Sequence, residues 1–175
     1  IAEWKTELIR NGAIKGILNQ MLSEKANLVN AATIAETRGV KVREIKKAKV
    51  SGGGAPNVLT VELRTTKEEH MVRGGVLHSG APRLLGMDDI VVEAPLERHI
   101  IYMRNRDVPG VIGKVGTILG THRINIANFS LGRQEKNGAA REAIAVVHVD
   151  SRVPDHVLEE LRQIDAVLVA KAIRL

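Results

Sequence analysis

The chain has 175 residues, a formal net charge of +6 and no cysteine. This length can bury a sizeable core as one domain or two small ones. The lack of cysteine excludes disulfides, thiol chemistry and an iron–sulfur cluster within this sequence, so a cytoplasmic setting is expected. No apolar run reaches the roughly 18 residues of a membrane-spanning helix. The sequence begins at Ile1 without a leader, which predicts a piece of a longer chain.

The positive charge is diffuse, apart from a basic segment over residues 41–49. A nucleic-acid surface combines basic groups with aromatic side chains that stack on bases. The three aromatic residues Trp4, Tyr102 and Phe129 are too few and too scattered for that purpose. The composition therefore predicts no nucleic-acid partner.

The first half of the sequence has a less regular pattern than the second. Its predicted elements are a strand over residues 2–9, helices over 14–22 and 28–37, and strands over 40–45, 58–64, 70–77, 83–87 and 90–92. Gly39 is expected to follow the second helix as its left-handed terminating residue. Residues 93–97 combine a proline with solvated glutamates and are interpreted as a linker. We therefore expect two domains, residues 1–97 and 98–175, the first being a small mixed α/β domain.

The second half has the element order βαββαβ. The predicted elements are strand 100–104, helix 111–122, strand 125–132, turn 135–138, strand 143–150, helix 154–164 and strand 168–175. Two similar strand–helix–strand halves are typical of a ferredoxin-like fold, with both helices on one face of an antiparallel sheet. The predicted fold class of the chain is therefore α+β.

The loop between the first strand and helix of this half has the chemistry of a carboxylate site. Pro109 suits a helix start, and Gly110 leaves room for a small molecule at the free N–H groups of the first turn. A free amino acid also needs an anion or carbonyl group for its ammonium. Asp107, Asn105 and Asn125 are the candidates for that role, although an asparagine at position 125 is equally compatible with turn chemistry.

The helix after this loop has two distinct faces. Gly113, Gly116 and Gly120 share one face, and either tight packing or contact with another helix or subunit would account for them. The other face is expected to pack on the core through Val111, Ile112, Val115, Ile118 and Leu119.

Common catalytic and nucleotide-binding motifs are missing from the sequence. Neither GxxxxGK[ST] nor GxGxxG is present, and neither is HExxH or GxSxG. The six histidines have no metal-ligand spacing. We therefore expect no catalytic residue, no metal site and no cofactor within this sequence.

The segment DVPGVIGKVGTILGTHRINIANFSLGR resembles the amino-acid-binding ACT domain that ends many D-3-phosphoglycerate dehydrogenases. NLVNAATIAETRGVKV and VRGGVLHSGAPRLLGMDDIVVEAP resemble the intervening allosteric substrate-binding domain of the long form of that enzyme. Together the two resemblances cover nearly the whole chain. The family places its catalytic half, with NAD, before this region. The resemblance therefore implies a non-catalytic piece of an NAD-dependent oxidoreductase that starts L-serine biosynthesis from 3-phosphoglycerate.

The resemblance also implies a homo-oligomer in which L-serine, or a similar amino acid, binds between paired ACT domains and inhibits the enzyme. Asn105 and Asp107 fall on the loop positions that hold the effector, and Asn125 falls on an asparagine of the next strand. The best-known serine-binding pattern has histidine and asparagine in place of Asn105 and Asp107, so the identity of the effector stays open. The implied effector site comprises Asn105, Asp107, Val108, Gly110, Val111, Ile112, Asn125 and Ile126.

A second, anionic ligand is implied for the first domain. Lys47 matches a basic position that some family members associate with a substrate-like anion. Arg73 and Arg83 are added because of their charge and the glycines near them, and a solvated basic face explains them equally well.

Three other functions share parts of this pattern. A component of an iron–sulfur L-serine dehydratase has a similar small domain with an ACT domain, and a free-standing amino-acid sensor would need only the second half. An RNA-recognition module shares the order βαββαβ, but residues 143–149 lack the exposed aromatics that it requires.

Overall fold

The computed structural model describes residues 6–23, 25–46, 58–77, 80–97, 99–135 and 141–175. The chain divides into two compact units, Ile1–Asn57 and Val58–Leu175. In the described part, no helix is both long and apolar enough to cross a membrane.

The described residues of the first unit contain two helices, α1 (Glu7–Met21) and α2 (Ala31–Thr37). Ile14 and Leu18 of α1, four residues apart on one helix face, pack against buried alanines of α2. The predicted strand over residues 2–9 is wrong over its last three residues, because α1 begins at Glu7; residues 2–5 lie outside the described part. Gly39 has a φ of +72°, which confirms it as the residue that ends α2.

The predicted strand over residues 40–45 is also wrong. Within the described residues 40–46, the backbone joins no sheet, and the side chains are exposed. The alternation of apolar and charged residues there fits a strand, but a strand is stable only when a neighbour pairs with its backbone groups.

The second unit begins with an antiparallel sheet of four strands in sequence order. The strands are β1 (Val58–Arg64), β2 (Glu69–Val76), β3 (Pro82–Met87) and β4 (Ile90–Pro95). The register shifts between Arg73 and Gly74 and between Leu84 and Gly86, which marks bulges. β4 is longer than predicted, so residues 93–95 of the proposed linker are strand. The domain boundary at residues 97 and 98 stays a prediction.

The remaining elements form a second sheet with two helices. They are β5 (His99–Arg106), α3 (Val111–Thr121), β6 (Ile126–Arg133), β7 (Glu142–Val149), α4 (Asp155–Arg162) and β8 (Val167–Arg174). The strand order is β6-β7-β5-β8, with every pair antiparallel. This arrangement confirms the ferredoxin-like prediction. Positions 136–138 of the predicted turn lie outside the described residues.

The second sheet is buried on both faces. The helices cover one face, where Val115 and Leu119 of α3 and Leu161 of α4 pack on Ile101 and Met103. The other face packs on the first sheet, with a core of Leu84, Ile90, Val92, Ala94, Ile100, Ile144 and Val146. Burial on both sides explains why β7 is an almost unbroken apolar run rather than an alternating one.

The two sheets approach each other closely at Gly132. A Cβ atom at this position would lie 2.3 Å from the carbonyl oxygen of Val91 and 2.8 Å from side-chain carbons of Ile90 and Val92. Only glycine leaves room for the backbone of β4 at that distance. His148 adds a polar contact, since its Nε2 lies 2.7 Å from the carbonyl oxygen of Pro95.

Candidate ligand site

A pocket of about 260 Å³ lies where the loop after β5 meets the start of α3. It is lined by Asp107, Val108, Pro109, Gly110, Val111, Ile112 and Arg133. A smaller cavity of about 40 Å³ shares four of these residues and extends inward to Asn105 and Phe129. The volume of the larger pocket lies below the roughly 300–1,000 Å³ of pockets that hold drug-sized ligands, so it suits a smaller molecule.

The start of α3 gives the pocket a site for an anion. Gly110 precedes the helix with a φ of +89°, a left-handed conformation that glycine adopts without strain. The first hydrogen bond of the helix runs from the N–H of Lys114 to the carbonyl oxygen of Gly110, at 3.0 Å. The N–H groups of the first turn before it have no acceptor within the helix, and together with the helix dipole they favour a carboxylate.

Asp107 supplies the opposite charge. Its backbone N–H donates to the carbonyl oxygen of Arg141 at 2.8 Å, which fixes the loop to the start of β7. Its Oδ2 accepts from Nε and Nη2 of Arg133, both at 2.7 Å. The Asp107 side chain is 15% exposed and that of Arg133 is 61% exposed. The guanidinium of Arg133 is open to solvent while the carboxylate of Asp107 is largely buried, so a ligand that brings its own ammonium to Asp107 can take the place of Arg133.

Sequence reasoning missed Arg133, although the topology contains the signal. β5 and β6 are both antiparallel to β7 and therefore parallel to each other. Their carboxyl-terminal ends consequently lie at the same edge of the sheet. Arg133 ends β6, and Asp107 directly follows β5.

Asn105 lies beneath the pocket and is 4% exposed. Its Nδ2 donates to the carbonyl oxygen of Arg106 at 2.8 Å, whereas its Oδ1 has no hydrogen-bond partner among the described residues. A buried acceptor without a donor costs about 1–3 kcal/mol. This oxygen is therefore suited to accept a hydrogen bond from an ammonium or hydroxyl group of a ligand.

The structure brings six of the eight predicted effector residues together and leaves two apart. Asn105, Asp107, Val108, Gly110, Val111 and Ile112 line the two cavities. Ile112 is half exposed at the pocket, so its predicted place on the core face is wrong. Asn125 and Ile126 follow the opposite end of α3, roughly 16 Å away along an 11-residue helix. There, Nδ2 of Asn125 donates to Oδ2 of Asp150 at 2.6 Å.

The predicted anion residues of the first sheet lie on the face opposite its core. Arg73 is paired with Gly86 across the strands, and Arg83 with Gly75. The Nε atoms of both arginines are buried and have no hydrogen-bond partner among the described residues. A Cβ at Gly86 would lie 2.9 Å from Nη2 of Arg73, so this guanidinium lies directly over the glycine. Lys47 is outside the described residues.

A further polar cluster, formed by His122, His156 and Glu160, lies between α3 and α4. The Nε2 of His122 and Oε2 of Glu160 lie 2.6 Å apart, and the ring of His156 packs edge-on against that of His122. Across the described ranges, no group of three or more histidine, aspartate or glutamate side chains has the geometry of a metal site.

Comparisons with known proteins agree with this architecture. Residues 1–88 match the model of the D-3-phosphoglycerate dehydrogenase intervening domain, and residues 99–166 match the ACT domain. The D-3-phosphoglycerate dehydrogenase of Synechocystis sp. is 34% identical over 93% of this chain and 28% of its own length. Those of Methanocaldococcus jannaschii and Bacillus subtilis are 31% and 30% identical over 94% and 100% of this chain.

The chain spans about a third or less of the length of these relatives, since the matches cover 30% and 32% of the latter two. The intervening-domain model alone matches half of the chain, and the ACT model matches most of the remainder. The chain therefore belongs to the D-3-phosphoglycerate dehydrogenase intervening-domain family and carries an ACT domain after it.

Proposed function

We propose that this chain is the regulatory C-terminal region of an NAD-dependent D-3-phosphoglycerate dehydrogenase, an oxidoreductase of L-serine biosynthesis. In this proposal the pocket at the start of α3 binds L-serine or a similar small amino acid, and binding inhibits the parent enzyme. The catalytic residues and NAD belong to the part of the parent that precedes this chain. Relatives named as dehydrogenases favour this function over an L-serine dehydratase component or a free-standing sensor.

The observation that carries the proposal is the unpartnered, buried Oδ1 of Asn105 below a helix start. An amino acid is a zwitterion, and the pocket offers groups for both charges. The N–H groups of Val111 and Ile112, with Arg133, suit the carboxylate, while Asp107 and the Oδ1 of Asn105 suit the ammonium. A small polar side chain would then face the remaining volume beside Val108.

A second copy of the chain would complete the site. Among the described residues, a Cβ built on Gly113, Gly116 or Gly120 of α3 has no heavy atom within 4 Å apart from its chain neighbours and the helix's own backbone, so packing within the described part of the chain does not explain these glycines. In a two-fold pair with antiparallel α3 helices, the end of one helix lies beside the start of the other. Asn125 of the second copy would then approach the pocket, as the family resemblance implies.

An anionic, substrate-like ligand on the first sheet is a second candidate function. It is favoured by the two buried Nε atoms of Arg73 and Arg83, which lie on one face over glycines. Guanidinium groups bind carboxylate and phosphate through paired hydrogen bonds. Phosphate should therefore stabilise the chain, and Arg83→Met should remove that effect without changing the response to L-serine.

Thermal unfolding with L-serine, glycine and L-alanine tests the amino-acid site. A ligand at 100 times its Kd adds about 2.7 kcal/mol of stability, which raises Tm by roughly 5–10 °C for a chain of this size. Asp107→Ala should abolish the shift. Asp155→Asn, a carboxylate in the first turn of α4, is the matched control and should keep it.

Two outcomes of this experiment would contradict the proposal. An unchanged Tm with all three amino acids would contradict the sensor function. A full shift in the Asp107→Ala variant would place the ligand elsewhere. In the parent enzyme, the same ligand should inhibit with a coupling of about 1–3 kcal/mol between pocket and catalytic site.

A further inference from the structure

The strands that form the pocket also face the first sheet. Side chains that follow one another along a strand point to opposite faces of the sheet. At the pocket end of the second sheet, each residue on the pocket side therefore has a neighbour on the side of the first sheet. The pairs are Asn105 with Arg104, Arg133 with Gln134, and Ala143 with Glu142.

The neighbours on the side of the first sheet converge on a single turn, Asp88-Asp89, between β3 and β4. Nη1 of Arg104 lies 3.4 Å from Oδ2 of Asp88, and its Nε donates to Oε2 of Glu142 at 2.5 Å. Nε2 of Gln134 donates to Oδ2 of Asp89 at 2.6 Å. We call these five residues, Asp88, Asp89, Arg104, Gln134 and Glu142, the polar clamp.

Asp88 connects the clamp to β2 of the first sheet through hydrogen bonds. Its backbone has a φ of +52°, a conformation that aspartate and asparagine adopt more readily than most residues. Its N–H donates to the carbonyl oxygen of Met71 at 2.7 Å, and its Oδ1 accepts from the N–H of Met71 at 3.0 Å. A displacement of Asp88 therefore changes its two hydrogen bonds with Met71 of β2.

The clamp differs from the other contacts between the two sheets. The close approach at Gly132, two residues before Gln134, lies beside the clamp, whereas apolar packing holds the middle of the interface and His148 and Pro95 hold its far end. A well-packed interior resists gradual deformation. The clamp consists of partly exposed polar groups, so it is the part of the interface that can exchange partners.

We propose that the polar clamp couples the occupancy of the pocket to the first sheet. A ligand that takes Arg133 away from Asp107 moves the end of β6. The hydrogen bond from Gln134 to Asp89 in the turn between β3 and β4 then changes. The identity of the ligand rests on the function proposed above, whereas the coupling between the pocket and the first sheet depends only on the contacts within this chain. Such coupling requires the ligand to bind one arrangement of the clamp more tightly than another. The effect is reciprocal, so a change in the clamp must also change the affinity for the ligand.

Hydrogen exchange in the 175-residue chain tests the coupling without any ligand. Arg133→Gln breaks the ion pair of the pocket, and the amides of Met71 and residue 88 report on the clamp. We expect exchange at these amides to change at least fivefold. The same substitution in an Asp88→Asn/Gln134→Ala background should change them less than twofold; we call this background clamp-cut because it removes the charge of Asp88 and the hydrogen bond from Gln134 to Asp89.

The variants are chosen to keep the fold. Asn at position 88 retains an acceptor oxygen and tolerates the positive φ. Glu62→Gln, which removes a carboxylate of β1 paired with Arg64 outside the clamp, is the matched control and should leave the response to Arg133→Gln intact. Equal changes in the intact and the clamp-cut chains, or no change in either, would overturn the coupling.

Calorimetry with L-serine separates the coupling from the function on which it rests. Reciprocity requires the clamp-cut chain to bind L-serine with a Kd changed at least fivefold. An unchanged Kd would overturn the proposal. If the intact chain binds none of L-serine, glycine and L-alanine, the proposed sensor function fails, and the exchange experiment alone decides on the coupling.

Discussion

The two sheets of the second unit differ in how they are covered. In the second sheet, helices pack on one face and the first sheet on the other, and β7 is buried from Ala143 to Val149. In the first sheet, burial is concentrated on β3 and β4, while Leu59 of β1 and Val72 of β2 remain 40% and 37% exposed. The second sheet therefore has a core of its own, whereas the first depends on the second for its buried surface.

Truncating the shared core is expected to have the largest effect. Ile144 is fully buried between the sheets, so Ile144→Ala should lower the free energy of unfolding by about 2–5 kcal/mol. Leu59→Ala on the exposed part of the first sheet is the matched control, with an expected loss of about 1 kcal/mol or less. Urea unfolding followed by circular dichroism measures both. Equal losses would show that the first sheet does not depend on the shared core.

Filling the space at Gly132, where the two sheets approach closely, is expected to have a smaller effect. Gly132→Ala places a methyl group against the carbonyl oxygen of Val91 and should cost about 1–3 kcal/mol. Gly113→Ala on the open face of α3 is the opposite case, and alanine there should stabilise the monomer by up to about 1 kcal/mol. Thermal unfolding at low protein concentration compares the two. A neutral Gly132→Ala would mean that the sheets can separate at this point without loss.

Much of the second half could be predicted from the sequence because its signals are local. Val115 and Leu119 recur at helical spacing, and the loop at Pro109 and Gly110 separates strand from helix, so α3 and its neighbours lie within one or two residues of their predicted bounds. The same local chemistry placed Asp107 and Asn105 at one pocket.

The rest depended on contacts between distant parts of the chain. Arg133 reaches Asp107 from 26 residues away through the strand order, which no local pattern contains. The turn at Asp88 is noticeable only because Arg104 and Gln134 meet it there. Conversely, residues 40–45 have the local pattern of a strand but no neighbouring strand to pair with in the described part.

Titration of the single tyrosine is expected to give the smallest effect and the most local report on the sheet interface. Burial against the first sheet raises the pKa of Tyr102 above its ordinary value of 10.0; the charges of Asp88 and Glu142 act in the same direction, and Arg104 opposes them. A raised pKa means that the folded state favours the neutral phenol. This contribution to stability is fully present below pH 10 and is lost as the pH rises through the folded pKa.

Absorbance at the phenolate band measures Tyr102 alone, because the sequence has one tyrosine. The midpoint should lie above pH 10 in the folded chain and return to about 10 in urea. Asp88→Asn should lower the folded midpoint, since it removes a negative charge near the phenol, whereas Glu62→Gln should leave it unchanged. A folded midpoint at or below 10 would contradict the burial of Tyr102 between the sheets. A midpoint unaffected by Asp88→Asn would mean that the Asp88 carboxylate does not act on the second sheet at this position.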